Sequence, residues 1–322
     1  MKRLILSGSH GPSLMKAGRA EVVVFFFSGF IWGELPARQK LASYLGDGSD
    51  LPEDDHWSDY VNGSVSDEDY VGLSLAEFCT GYDEIELWFD PRPLDQLLLV
   101  WLLDYLRAYP LLTTKLFVRL IDQELIMVSD AFLAKGNIPR ADVGDAELET
   151  ASEVWQAYQA TTPEACFALL KRNLGALPLV KPTLTALLQE LPGPTGLGAT
   201  ELRILELVAR GYQRMALFYH RTLRGTFVFD EWQLGYLLDG LALGPVPAVA
   251  GLDEELRTLG KEAFGPREEA YKRSRLTITD FGKAVLRHEE DFSRHNPIDR
   301  WWGGTHLTND HMWRWNPTLV KG

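Results

Sequence analysis

The chain has 322 residues, 46% of them hydrophobic and 24% charged, which excludes a disordered protein and is length enough for about two domains. The net charge is −13, and its concentration in residues 1–143 argues against a phosphate backbone as the partner of that part. Only two cysteines occur, Cys79 and Cys166, which argues against a disulfide framework and favours a reducing, cytoplasmic compartment.

Met1-Lys2-Arg3 is followed by three apolar residues before Ser7-Gly8-Ser9, too few for a secretory core. The most apolar run, Val22 to Trp32, breaks at Ser28-Gly29, well short of the roughly 20 residues of a membrane helix. No membrane partner is expected.

In chain order, Arg3 to Leu6 reads as a short strand running into a Gly/Ser loop before a helix. Glu21 to Phe27 is a continuous β-branched and aromatic run, the pattern of a strand covered on both faces. Asp47 to Asp69 is rich in Gly, Ser and Asp and reads as a solvated loop. Residues 1–143 hold 22 acidic against 12 basic residues, and much of that excess lies in this loop. Glu84 to Phe89 is the next strand. A helix follows from Pro93 to Tyr109, with Leu94, Leu97, Leu98, Trp101, Leu102 and Tyr105 at helical spacing. Lys115 to Ile121 is a further strand, and Leu125 to Val128 a candidate fifth. This alternation implies an α/β domain over 1–143, with a mainly parallel, Rossmann-like sheet.

The pattern then turns helical. Residues 146–160, 163–174 and 178–191 read as helices of a connector over 144–192, with Pro163 and Pro178 where a first turn tolerates proline. Leu191-Pro-Gly-Pro-Thr-Gly-Leu197 is dense in breakers and reads as a linker. Beyond it, Thr200 is the expected cap of a helix from Glu201 to Arg210. A second helix spans Met215 to Leu223, and Asp230 caps a third from Glu231 to Leu243. A short strand, 275–279, precedes a closing helix from Asp280 to His288. Three helices, a β element and a closing helix over 197–292 make a winged-helix-like arrangement. The last stretch, 293–322, holds four of the ten tryptophans and reads as a tail folded back on the body. Trp301, Trp302, Trp313 and Trp315 supply apolar area, and Gly303-Gly304 permits a sharp turn.

Three stretches carry a family resemblance: Leu87-Trp88-Phe89 followed by Leu94-Asp95-Gln96-Leu97, then Gly198 to Leu205, then Asn296 to Leu307 with Trp313 to Asn316. In these the chain resembles an uncharacterised bacterial family with an N-terminal domain of unknown function, number 1835. The resemblance covers nearly the whole chain, and it implies architecture without a reaction. The chain also departs from that family. Gly8-Ser9-His10 stands where the family has Gly-Asp-Ser, Asp90-Pro91-Arg92 where it has Glu-His-Asp, and a segment resembling Glu-Gly-Pro appears here as Gly33-Glu34-Leu35-Pro36. If those are the family's reactive groups, most are replaced here.

In an open parallel sheet, ligands bind outside the carboxyl ends of the strands. The loops there offer Ser9, His10, Asp90, Arg92 and Asp95, with Glu34 and Arg38 nearby. Such a set suits a small anionic, phosphate- or nucleotide-like ligand, with His10 as an acid or base. The bland alternative is that the glycines only make turns and that Asp95 is a first-turn charge favoured by the helix dipole. Gly-x-Gly-x-x-Gly and Gly-x-x-x-x-Gly-Lys-[Ser/Thr] are absent, so no cofactor is expected. For nucleic acid, the third helix carries no Lys or Arg, and residues 197–292 hold 13 basic against 15 acidic residues. That leaves Lys272, Arg273 and Arg275 as phosphate contacts from a wing, with a solvated turn the plainer reading. In the tail, His306 with the neighbouring histidines and aspartates invites a metal, but the spacing is not that of a helical site. The Trp/Gly context favours packing, and no metal is expected.

Two functional classes follow. One is a non-catalytic regulatory or scaffold protein that uses the α/β cleft and the winged helix as protein-binding surfaces. The other is an enzyme or sensor of a small anionic ligand at the cleft. A DNA-binding regulator is a third, weaker reading.

Overall fold

The computed structural model describes residues 2–8, 11–26, 29–48, 56–125, 128–213, 228–252, 269 and 273–321. They divide into two compact units, one of 1–30, 35–160 and 168–183, the other of 31–34, 161–167 and 184–322.

The first unit is α/β. Its elements run β1 (Arg3–Ser7), α1 (Gly11–Lys16), β2 (Val22–Phe25), α2 (Arg38–Leu45), β3 (Val61–Gly63), α3 (Leu75–Thr80), β4 (Glu84–Trp88), α4 (Pro93–Leu106), α5 (Pro110–Thr113), β5 (Leu116–Arg119), α6 (Asp130–Lys135), β6 (Arg140–Asp142) and α7 (Asp145–Tyr158). The strands form one sheet in the order β3-β2-β1-β4-β5-β6. β2, β1, β4 and β5 are parallel, whereas β3 and β6 pair antiparallel at the edges.

Both faces are buried at the centre of this sheet. Leu4, Leu6, Ile85 and Leu87 on one face and Ile5, Val23 and Trp88 on the other are all 0% exposed. That double cover explains the continuous apolar runs of β1 and β2. α1 and α6 contribute Leu14 and Leu133 to the cluster around Ile5, Val23 and Trp88. The stretch 144–192, expected as a helical connector, is shared between the units. α7 packs along α4 within the first, and residues from Leu184 belong to the second.

Two expectations need correction here. The segment 47–69 is not simply a solvated loop: Trp57 is fully buried, and Val61–Gly63 pairs with β2. The strand expected at 125–128 does not form among the described residues, Ile126 and Met127 of that stretch lying outside them. The edge partner of β5 is β6 instead.

The sequence continues with α8 (Glu164–Leu169) and α9 (Val180–Gln189). The second unit then holds α10 (Ala199–Ala209), α11 (Glu231–Leu243), β7 (Val249–Ala250), β8 (Thr277–Ile278), α12 (Asp280–Leu286), α13 (Phe292–His295), β9 (Asp299–Trp302), β10 (Thr305–Thr308), β11 (Trp313–Trp315) and β12 (Leu319–Lys321). α10 packs against α11, α12 and β8, and β7 pairs antiparallel with β8. The helix expected at Met215 to Leu223 lies outside the described residues.

Asp230 caps α11 as expected: its carboxylate accepts from Gln233 N–H at 2.8 Å while Gln233 Oε1 accepts from Asp230 N–H at 2.9 Å. Thr200 does not cap α10. Gly198 precedes the helix, with Glu201 Oε2 accepting from its N–H at 2.8 Å, and the Thr200 hydroxyl donates to Glu190 instead. α12 ends two residues earlier than expected. His288, at φ 59°, takes the left-handed position after its cap, and Glu289 N–H closes the turn onto Ala284 O at 3.0 Å.

Candidate functional site

The sheet order changes direction between β1 and β4, and the loops leaving those strands face each other at their carboxyl ends. Ser7 and Trp88 are register partners there, and Ser7 Oγ donates to Trp88 O at 3.0 Å. A Cβ built on Gly8 would lie 2.5 Å from both carboxylate oxygens of Asp95, so only glycine lets the first loop come this close.

Beyond β4 the chain folds Asp90, Arg92 and Asp95 onto one another. Pro93 occupies the first turn of α4 and places Asp95 there too, where the helix dipole favours a negative charge. Arg92 Nε donates to Asp90 Oδ1 and Oδ2, each at 3.0 Å, and Nη2 donates to Asp95 Oδ1 at 3.2 Å. Asp90 Oδ2 also accepts from Leu125 N–H at 3.1 Å, and Asp95 Oδ2 from Asp90 N–H at 3.2 Å. Gln96 Nε2 closes the group on Asp90 O at 2.7 Å. Both aspartates are 0% exposed, and the Arg92 side chain is 22% exposed.

The electrostatics follow from that burial. Burial, then the neighbouring Asp90, raises the Asp95 pKa well above the usual carboxylate range, and Arg92 only partly offsets this. Burial alone would lower the Arg92 pKa, but Asp95 and Asp90 more than reverse it and hold the guanidinium above its usual range. Two dry carboxylates share one cation. The arrangement is well built to fix three loops and poorly built to receive an anion.

A second polar group lies on the same strand. Glu84, Glu86 and Trp88 alternate onto one face of β4, with Arg3 and Arg119 on the flanking strands. Arg119 donates to Glu86 Oε2 at 2.9 Å, Trp88 Nε1 donates to it at 2.8 Å, and Arg3 Nε lies 3.3 Å from Glu86 Oε1. Burial would raise the Glu86 pKa, but the bonds from Arg119 and Trp88 outweigh it and hold the carboxyl below its usual range. The guanidiniums of Arg19 and Arg119 each lie 5.5 Å from the centre of the Trp88 ring. Sequence reasoning passed over this network. Its signal was the Glu-x-Glu-x-Trp alternation in the strand read at Glu84 to Phe89.

The other expected residues separate. Ser9, His10 and Lys272 lie outside the described residues. Arg38 is exposed at the start of α2 and lines a groove beside Trp101 and Asp104, on the C-terminal half of α4, so it does not join the Arg92 group at that helix's other end. Glu34 is exposed and belongs to the second unit. Arg273 and Arg275 are both exposed, flanking the buried Ser274. Burial pushes the thiols of Cys79 and Cys166 up to about 12, which leaves both without thiolate character at neutral pH.

The tail forms two hairpins within the second unit. Gly303, at φ 54°, turns β9 into β10, with Gly304 completing the connection. Trp302 and Trp313 are buried, while Trp301 and Trp315 are half-buried. Trp302 Nε1 donates to Leu187 O at 2.6 Å, Trp315 N–H to Pro192 O at 3.0 Å, and Arg314 Nη1 to Gly193 O at 2.8 Å. His306 stacks on Trp301 at 4.6 Å and bonds Asp299 at 2.7 Å. Trp315 also meets Phe167 edge-on at 5.8 Å.

No protein-family model and no curated protein matches the sequence.

Proposed function

We propose that this chain is a non-catalytic regulatory or scaffold protein. Its first unit is taken as Rossmann-like and its second as winged-helix-like, from the order of strands and helices in the sequence, beside the resemblance to the family with domain of unknown function 1835. The observation that carries the reading is the Asp90–Arg92–Asp95 group. At the position where an open parallel sheet usually binds its ligand, the cation is committed to two buried carboxylates. An arriving phosphate would meet a cation already paired with buried carboxylates, in a dry setting where its own charge is costly to bury.

The second unit supports a protein partner over DNA. Tyr236, on α11, stacks at 5.6 Å on Trp32, whose ring also meets Phe229 edge-on at 5.8 Å. A helix that lacks Lys and Arg and carries an aromatic cover offers little to base edges or phosphates.

Thermal melting in millimolar inorganic phosphate or ribose 5-phosphate, with a low-salt duplex-DNA mobility assay alongside, tests this reading. Unchanged melting and unretarded DNA are expected. A rise of several degrees with either phosphate would reinstate the anion-binding enzyme or sensor. Retardation lost in the Arg273→Gln/Arg275→Gln protein would reinstate the DNA-binding regulator.

A further inference from the structure

Within the first unit, α2, the C-terminal half of α4 and α7 enclose a groove of about 590 Å³, inside the range of small-molecule sites. Part of its lining is apolar: Leu41 and Leu45 from α2, with Trp101 and Trp155, which are 4% and 3% exposed. Its rim is cationic. Arg38 and Arg107 both line it, against the single acid Asp104, in a chain whose net charge is −13.

The two arginines differ in what holds them. Arg107 Nη1 donates to Ser152 Oγ at 3.1 Å, and Gln156 Nε2 donates to the same oxygen at 3.1 Å, so one wall is a fixed row of donors. Arg38 makes no hydrogen bond or ion pair among the described residues. It also sits in the first turn of α2, which has no acidic residue and no side-chain cap, where the helix dipole disfavours a cation. An anion beside Arg38 would relieve both conditions at once.

We propose that this groove binds a small aromatic molecule carrying one anionic group, carboxylate, sulfonate or phosphate. The ring lies against the Leu/Trp lining, and the anion meets Arg38 and Arg107. The site is distinct from the closed Asp90–Arg92–Asp95 group, and it does not depend on the scaffold reading.

Fluorescence titration of the full chain with 8-anilinonaphthalene-1-sulfonate tests it, with the uncharged N-phenyl-1-naphthylamine as its neutral counterpart. Saturable one-to-one binding of the sulfonate is expected, weakened about tenfold or more in Arg38→Gln/Arg107→Gln, since charged hydrogen bonds typically contribute that much. Affinity for the neutral probe should stay unchanged in that variant. Ala42→Trp, at an exposed position lining the groove, should block both probes without lowering the melting temperature. Absence of saturable sulfonate binding would overturn the proposal, as would equal sulfonate affinity in the native protein and both variants.

Discussion

Arg92 holds together two carboxylates that water does not reach, and its removal would take the paired cation from both. Breaking a buried pair of this kind typically costs about 3–5 kcal/mol. Arg92→Gln is therefore expected to lower the urea midpoint sharply. Adding Asp95→Asn should restore part of the loss, because it removes one of the stranded charges. Equal stability of the single and double variants would show that the group does not act as a unit.

Glu190 gives the clearest pH signature. Its carboxyl is buried, accepts from Thr200 Oγ1 at 2.6 Å and from Thr200 N–H at 3.1 Å, and is raised by that burial from 4.5 to about 7. A carboxyl raised on folding contributes stability that is fully present below its unfolded value and lost as pH rises through the folded one. The loss therefore falls between pH 4.5 and about 7 and amounts to about 3 kcal/mol. Groups held below their usual range, such as Glu86, act in the opposite sense at lower pH. The informative quantity is thus the native-minus-variant difference. Glu190→Gln should flatten the stability profile between pH 4.5 and 7, and an unchanged slope there would refute the assignment.

At the scale of elements, β1 and β2 were readable because burial on both faces leaves an apolar run in the sequence, and β4 and β5 were readable from their apolar and aromatic residues although Glu84, Glu86 and Arg119 interrupt them. β3 and β6 were not. Each is three residues long, and Val61-Asn62-Gly63 and Arg140-Ala141-Asp142 carry no alternation to detect. Their pairing is fixed by the strands they flank. The Asp230 cap was legible because a capping box is local, whereas the Thr200 hydroxyl went to a carboxylate ten residues away. The tail hairpins show the same division. The glycine turn and the buried tryptophans were visible, but the Leu187, Pro192 and Gly193 carbonyls that receive them were not. Trp302→Ala is expected to cost about 3–5 kcal/mol, since it empties a buried site and removes the indole's hydrogen bond to Leu187 O. Trp301→Ala, at a half-buried ring stacked on His306, should cost under about 1.5 kcal/mol. Chemical denaturation of the two variants measures that difference.

For the whole molecule, the sequence by itself determined an α/β first part, a helical second part, an acidic balance and an ordered, Trp-rich end. These are properties of local period and composition, and they survive without knowing which segments meet. Only the tertiary structure decided that Arg92 pairs with Asp90 and Asp95, that Arg38 lines a groove with Trp101 and Asp104 and not with Arg92, and that Trp32 stacks on Tyr236. A charged side chain carries the same letter whether it is neutralised or waiting for a ligand. What separates the two states is the set of atoms within about 3 Å of it, typical hydrogen-bond reach, and residues distant in the chain supply many of those.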